Sequence, residues 1–275
     1  MTIDFDKLFE GYVHEWYRAN AERFDDPEEA EGLMPDLYEE WADKPCVEIG
    51  GVSPRKFFAK ITDAEELVKM LVLSSVESSP CALLLDRIEA EPKCAPHLIT
   101  VVKQSKNPLV IMLAINLLDI IGLQVPYDIY VSWLLDYGTS KCPRHINGEI
   151  IELIVEVLSD KTDIIGDLLT PFVEKASYDT KVNLADILAG YKNNETAYNL
   201  LVEMFEEGQN LPLYAGYLGK YGDKRAIEVL ESRLADCNYL EYIEIAGAIE
   251  KLGGEADIQR DFSRDPYYRA LKLAQ

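Results

Sequence analysis

Apolar residues recur along this chain at spacings of three and four, while alternating runs bounded by turn signals are hard to find. The periodicity predicts an all-α protein. Phe5, Leu8, Phe9, Tyr12, Val13 and Trp16 form one broad stripe, which predicts an amphipathic helix over 4–20. A second helix is expected behind Asp26-Pro27-Glu28-Glu29, where Asp26 caps, Pro27 takes the first helical position and Glu29 closes a capping box. Ala30, Leu33, Met34, Leu37 and Trp41 supply its inner face. Residues 43–54 interrupt the pattern at a Gly50-Gly51 turn, and helices resume behind Ser53-Pro54 and at the capping box Thr62-Asp63-Ala64-Glu65. Ser79-Pro80, Pro96, Asn107-Pro108 and Pro126 each mark a further helix start. The most apolar segment, Leu109 to Ile121, is interrupted by Asn116 and Asp119 and is shorter than the roughly 20 residues a bilayer needs, so it reads as a buried helix.

Beyond residue 140 the helices come in pairs: 146–158 with 163–176, 180–190 with 195–206, and 212–221 with 224–235. A last helix over 239–252 leads to a short element after Asp265-Pro266. Pro171 falls within the run Ile164, Ile165, Leu168, Leu169, Phe172 and Val173, which predicts a break there. The pairs recur about every 30 residues, the period of a helical solenoid. Ala185, Leu188, Tyr191 and Ala197 align with Ala215, Leu218, Tyr221 and Ala226, and again with Ala246, Ile249, Leu252 and Ala256. Small residues at Ala215, Gly216, Gly219, Ala246 and Gly247 are expected to let paired helices approach closely.

One unit of this repeat, Leu218-Gly219, Gly222-Asp223, Ala226, Leu230, Leu234 and Asp236, resembles the short HEAT repeats of phycobilisome-lyase-type proteins, and Leu252-Gly253-Gly254-Glu255-Ala256 resembles the start of another. The resemblance covers 180–257 best. An Arg that such repeats often carry before the first alanine is missing from Leu211-Pro212-Leu213-Tyr214. What the resemblance implies is a right-handed α-α superhelix that offers a surface to a partner. Residues 1–60 are then an N-terminal helical cap, 61–275 a continuous repeat array, and the segment from Asp265 onward a C-terminal cap. HEAT-like folds also include chromophore lyases and DNA glycosylases.

Charge narrows the functions. The 275 residues hold 49 Asp and Glu against 27 Lys and Arg, a net charge of -22. Such a field repels polyphosphates and anionic membranes, so neither nucleic acid nor membrane is expected as a partner. The start Met1-Thr2-Ile3-Asp4-Phe5-Asp6 lacks the basic and apolar regions of a signal peptide, and five cysteines form no Cys-x-x-Cys pair. Both features point to free thiols and a cytoplasmic location.

Candidate chemistry is sparse. Gly216-x-x-Gly219-x-x-Gly222 lacks the preceding strand and the Lys-Ser/Thr of phosphate loops; Gly222 is expected to end one helix and Asp223 to cap the next. Cys94-Ala-Pro-His97 and Cys142-Pro-Arg-His145 have metal-ligand residue types, but three helices separate them and put them on opposite edges of a solenoid. His14 reads as a partly buried histidine beside Trp16. No catalytic residue, metal or cofactor is assigned. Gly50, Gly51, Ser53, Arg55 and Lys56 form either a simple turn with a helix start or an anion pocket. The chain also holds 16 tyrosines, a residue favoured at recognition surfaces. Tyr130, Tyr137, Tyr198, Tyr217 and Tyr221 are the candidates for an acidic, tyrosine-lined groove that binds a basic protein or peptide through ion pairs and cation-π contacts. A non-enzymatic interaction scaffold is therefore the leading expectation, with oligomeric state open. The alternative is an anion-binding or small-molecule-binding protein or enzyme with its site near Gly50–Lys56.

Overall fold

The computed structural model describes residues 3–23, 31–77, 79–256 and 260–273. Among them the regular elements are sixteen α-helices and short 3₁₀ turns, with one isolated bridge between Cys46 and Val52. The all-α expectation holds. Contacts gather the chain into two compact units, Met1–Pro126 and Tyr127–Gln275.

The first unit opens with α1 (Phe5–Asn20), α2 (Met34–Asp43) and α3 (Pro54–Ala59). Asp4 caps α1 by accepting the Lys7 N–H at 3.1 Å, and Ser53 caps α3 with Pro54 in its first turn. Aromatic rings join these helices: Phe5 lies 4.6 Å from Phe58, and Phe9 stands edge-on to Tyr38 at 5.0 Å. His14 is exposed, because it falls on the outer face of α1. The Asp26-Pro27-Glu28-Glu29 capping box lies outside the described residues.

Then come α4 (Ala64–Glu77), α5 (Ala82–Glu89), α6 (Ala95–Gln104) and α7 (Pro108–Ile121), with α3 packed on α5. Asp63 rather than Thr62 satisfies the first turn of α4, accepting the Glu65 N–H at 2.9 Å. Cys81, past the Ser79-Pro80 pair, holds the N-cap of α5. Six apolar side chains of α7 are buried, and the helix stops at Gly122 in the left-handed conformation. No helix among the described residues is long and apolar enough to cross a membrane.

The second unit contains α8 (Tyr127–Asp136), α9 (Gly148–Ser159), α10 (Thr162–Leu169), α11 (Tyr178–Leu188), α12 (Glu195–Glu207), α13 (Leu211–Tyr221), α14 (Ala226–Leu234), α15 (Tyr239–Lys251) and α16 (Pro266–Leu273). Neighbours stack in order: α9 packs on α8 and α11, α12 on α11 and α13, α13 on α15, and α14 on α15. Of the aligned residues, Ala185, Leu188, Ala197, Ala215, Leu218, Tyr221, Ala226, Ile249 and Leu252 are buried while Tyr191, Ala246 and Ala256 are partly exposed, so most of the repeat consists of core positions. Gly219 sits at a close approach, where a Cβ would lie 3.4 Å from Ala248. Gly216 and Gly247 face open space instead, so they do not set helix spacing. Helix α10 gives way at Thr170 to a 3₁₀ turn over Thr170–Lys175, as Pro171 requires. Asp265 accepts the amides of Tyr239, Tyr267 and Tyr268, and the Tyr268 ring packs 4.8 Å from that of Tyr239, which ties α16 to α15.

Candidate functional site

The five candidate tyrosines do not share one surface. Tyr130 is completely enclosed, and Tyr198 and Tyr221 are buried. The Tyr221 hydroxyl donates to the Asn194 carbonyl at 2.8 Å and accepts the Asn194 N–H at 2.9 Å, joining the end of α13 to the cap of α12. Its ring lies 6.0 Å from Tyr198, over which the Arg225 guanidinium sits 4.3 Å from the ring centre. Tyr217 is half-buried beside Tyr214, and burial together with Asp186 raises its pKa. Tyr137 is the most open, at 36% exposure. Tyr130, Tyr198 and Tyr221 are thus core residues rather than groove residues. Repeat helices need bulky inward side chains, and a phenol serves wherever its hydroxyl meets a backbone partner.

The loop before α3 is a tight turn rather than an open anion cradle. Gly50 and Gly51 adopt φ of 78° and 76°, and their amides donate to Val47 and Cys46 carbonyls. Ser53 spends its hydroxyl on the Lys56 amide. Arg55 donates to Asp43 at 3.1 Å and also pairs with Glu39, so its charge is already compensated. Lys56 is exposed. An adjoining hollow of about 550 Å³ meets Gly50 and Lys60 on one side, but Asp63 and Glu66 also line it. An anion there faces two carboxylates and amides that already have acceptors.

Gly222 ends α13 at φ 86°. Asp223, expected to cap the next helix, does not: Arg225 holds the N-cap of α14 without a side-chain cap, and Asp223 accepts the Arg225 N–H at 2.9 Å in the turn just before it. Asp223 and Glu195 hold the Arg225 guanidinium, and both carboxyls lie below their ordinary range because they bond it. Cys94 is buried with its thiol pushed up to about 11, and among the described residues no three His, Cys, Asp or Glu side chains gather to hold a metal ion.

The most distinctive surface is built on α9, α10 and the turn after them. Helix α9 buries Ile150, Ile151, Ile154, Val155, Val157 and Leu158 and turns Glu149, Glu152 and Glu156 to solvent. Asp160, Asp163, Asp167 and Glu174 are exposed as well, so residues 148–174 carry seven exposed carboxylates against one lysine, Lys161. Glu152, Glu156, Asp163 and Glu174 have no ion-pair partner among the described residues. Helix α10 and the 3₁₀ turn after it also bear two apolar rows. Ile165, Leu169 and Val173 face the core at 0, 0 and 4% exposure, whereas Ile164, Leu168 and Phe172 stand outward at 61, 52 and 46%. Phe172 reaches a cleft of about 590 Å³ floored by Val131, Leu135 and Ala176 and rimmed by Asp128, Asp136, Lys141 and Lys175. In the sequence the six residues of the two rows mark only an apolar run around Pro171, which does not say which of them are covered. The signal was present: adjacent pairs at 164/165, 168/169 and 172/173 span more of the circumference than one face buries.

Compared with known protein families, curated proteins and solved structures, the chain has no match.

Proposed function

We propose that this protein is a non-enzymatic interaction module for a basic protein or peptide, built on a HEAT-like helical array. The observation that supports it most is the run of seven exposed carboxylates against one lysine over residues 148–174. Most exposed ion pairs contribute little to stability, and here four of these carboxylates lack even that role. A concentrated acidic face speeds encounter with a positively charged partner and discriminates against acidic ones. The five cysteines are all free, which fits a reducing compartment, and the cytoplasm is the location assigned with this function.

The test is capture of proteins from the source cell on immobilised full-length protein, beside a Glu149→Gln, Glu152→Gln, Glu156→Gln variant. The expected result is a basic partner that high salt releases and that the variant retains poorly. Partners held equally by both proteins and indifferent to salt overturn the reading.

A further inference from the structure

The outward row along α10 and the turn after it is only partly used by its own unit: Ile164, Leu168 and Phe172 are about half exposed or more, while Ile165, Leu169 and Val173 anchor the helix and the turn. A line of three large, partly exposed apolar side chains, with a cleft of mixed apolar and polar lining at one end, is a surface that wants cover. Asp163 and Asp167 precede Ile164 and Leu168 by one position, so a carboxylate row runs beside the apolar row with the same four-residue spacing.

We propose that this face is the docking site for a basic amphipathic helix of a partner protein. The proposal rests on the basic-partner reading above and names its surface. The partner's apolar stripe lies along Ile164, Leu168 and Phe172, in the manner of a helix laid on an apolar strip. Its Lys and Arg side chains on one flank reach Asp163 and Asp167. One large side chain at its end enters the half-open cleft beside Phe172, where it meets Val131, Leu135 and Ala176. A flat acidic patch without the apolar row would favour any basic polymer. The two parallel rows select a segment that repeats apolar and basic residues at helical period.

The probe is a synthetic amphipathic peptide of Leu and Lys, about 18 residues long so that it forms a helix, with a Leu/Glu peptide of the same pattern as control. Binding to the full-length protein is read by fluorescence anisotropy, for the wild type and for Ile164→Asp, Leu168→Asp and Phe172→Ala. These positions are exposed, and circular dichroism and melting establish that each variant is folded. The expected result is binding of the Leu/Lys peptide alone, weakened about tenfold or more by Leu168→Asp, as for a central interface residue. If the ridge variants bind the peptide as tightly as the wild type, the docking site is wrong while the basic-partner reading stands. If the Leu/Lys peptide fails to bind even at low salt, both fall. Self-association of the wild type at neutral pH that Leu168→Asp abolishes identifies a second copy as the occupant, and overturns the proposal.

Discussion

Gly166 in α10 lies directly beneath the ring of Tyr191. A Cβ at position 166 would stand 2.5 Å from two of its ring carbons, and the ring cannot swing aside freely because its hydroxyl donates to Asp167 at 2.6 Å. Gly166→Ala gains helix propensity, by about 1 kcal/mol, but overpacks a ring that is held at both ends, at a cost of about 1–3 kcal/mol. The expected outcome is net destabilisation in urea unfolding. In a Tyr191→Ala background the same substitution becomes stabilising, because only the propensity gain remains.

Tyr221→Phe keeps the ring and removes the hydroxyl that serves both backbone groups of Asn194. Loss of partners for part-buried groups costs about 1–3 kcal/mol. Tyr137→Phe, at a more open position, should stay within about 0.5 kcal/mol of the wild type. Equal melting temperatures for the two variants would contradict the placement of Tyr221 as a core clasp.

Thiol accessibility divides the five free cysteines. Cys81, Cys94 and Cys237 are buried, and desolvation pushes the first two up to about 11; Cys46 and Cys142 are partly exposed. Native labelling with an alkylating reagent, read by mass spectrometry, should modify Cys46 and Cys142 first and spare the other three until denaturant is added.

Stability should fall on the alkaline side. Burial raises the thiols of Cys81 and Cys94 from 9.0 to about 11 and the phenol of Tyr38 from 10.0 to about 12. Each group is neutral when folded at a pH where the unfolded chain has already ionised, so the unfolded state binds fewer protons. Their contribution is complete below about pH 9 and declines from there through pH 12. Urea midpoints measured across that interval check the sign, and the Cys81→Ser variant should flatten its lower part.

Punctuation was the legible layer of this chain. Ser53 with Pro54, Asn107 with Pro108, Gly222 and Pro171 each start or stop a helix where their backbone preferences place them. These effects are local, so a linear reading captures them. The tyrosines were not legible because an amphipathic phenol suits core and surface alike, and only the Asn194 partner of Tyr221 decides between them. The sequence leaves Gly50–Lys56 open between a simple turn and an anion pocket, because the carboxylates that occupy Arg55 lie 12 and 16 residues away. The outer apolar row along α10 and the turn after it is present in the sequence only as an apolar run around Pro171, and a run alone does not separate covered from exposed positions.

That double row also governs how the protein behaves in concentrated solution. Around neutral pH the carboxylates flanking Ile164, Leu168 and Phe172 keep identical copies apart by mutual repulsion and so shield an adhesive strip. Near the isoelectric point of 4.5 that repulsion vanishes while the strip remains. Precipitation on mild acidification, reversible and relieved by Leu168→Asp, is the solubility signature of an acidic fence around an apolar ridge.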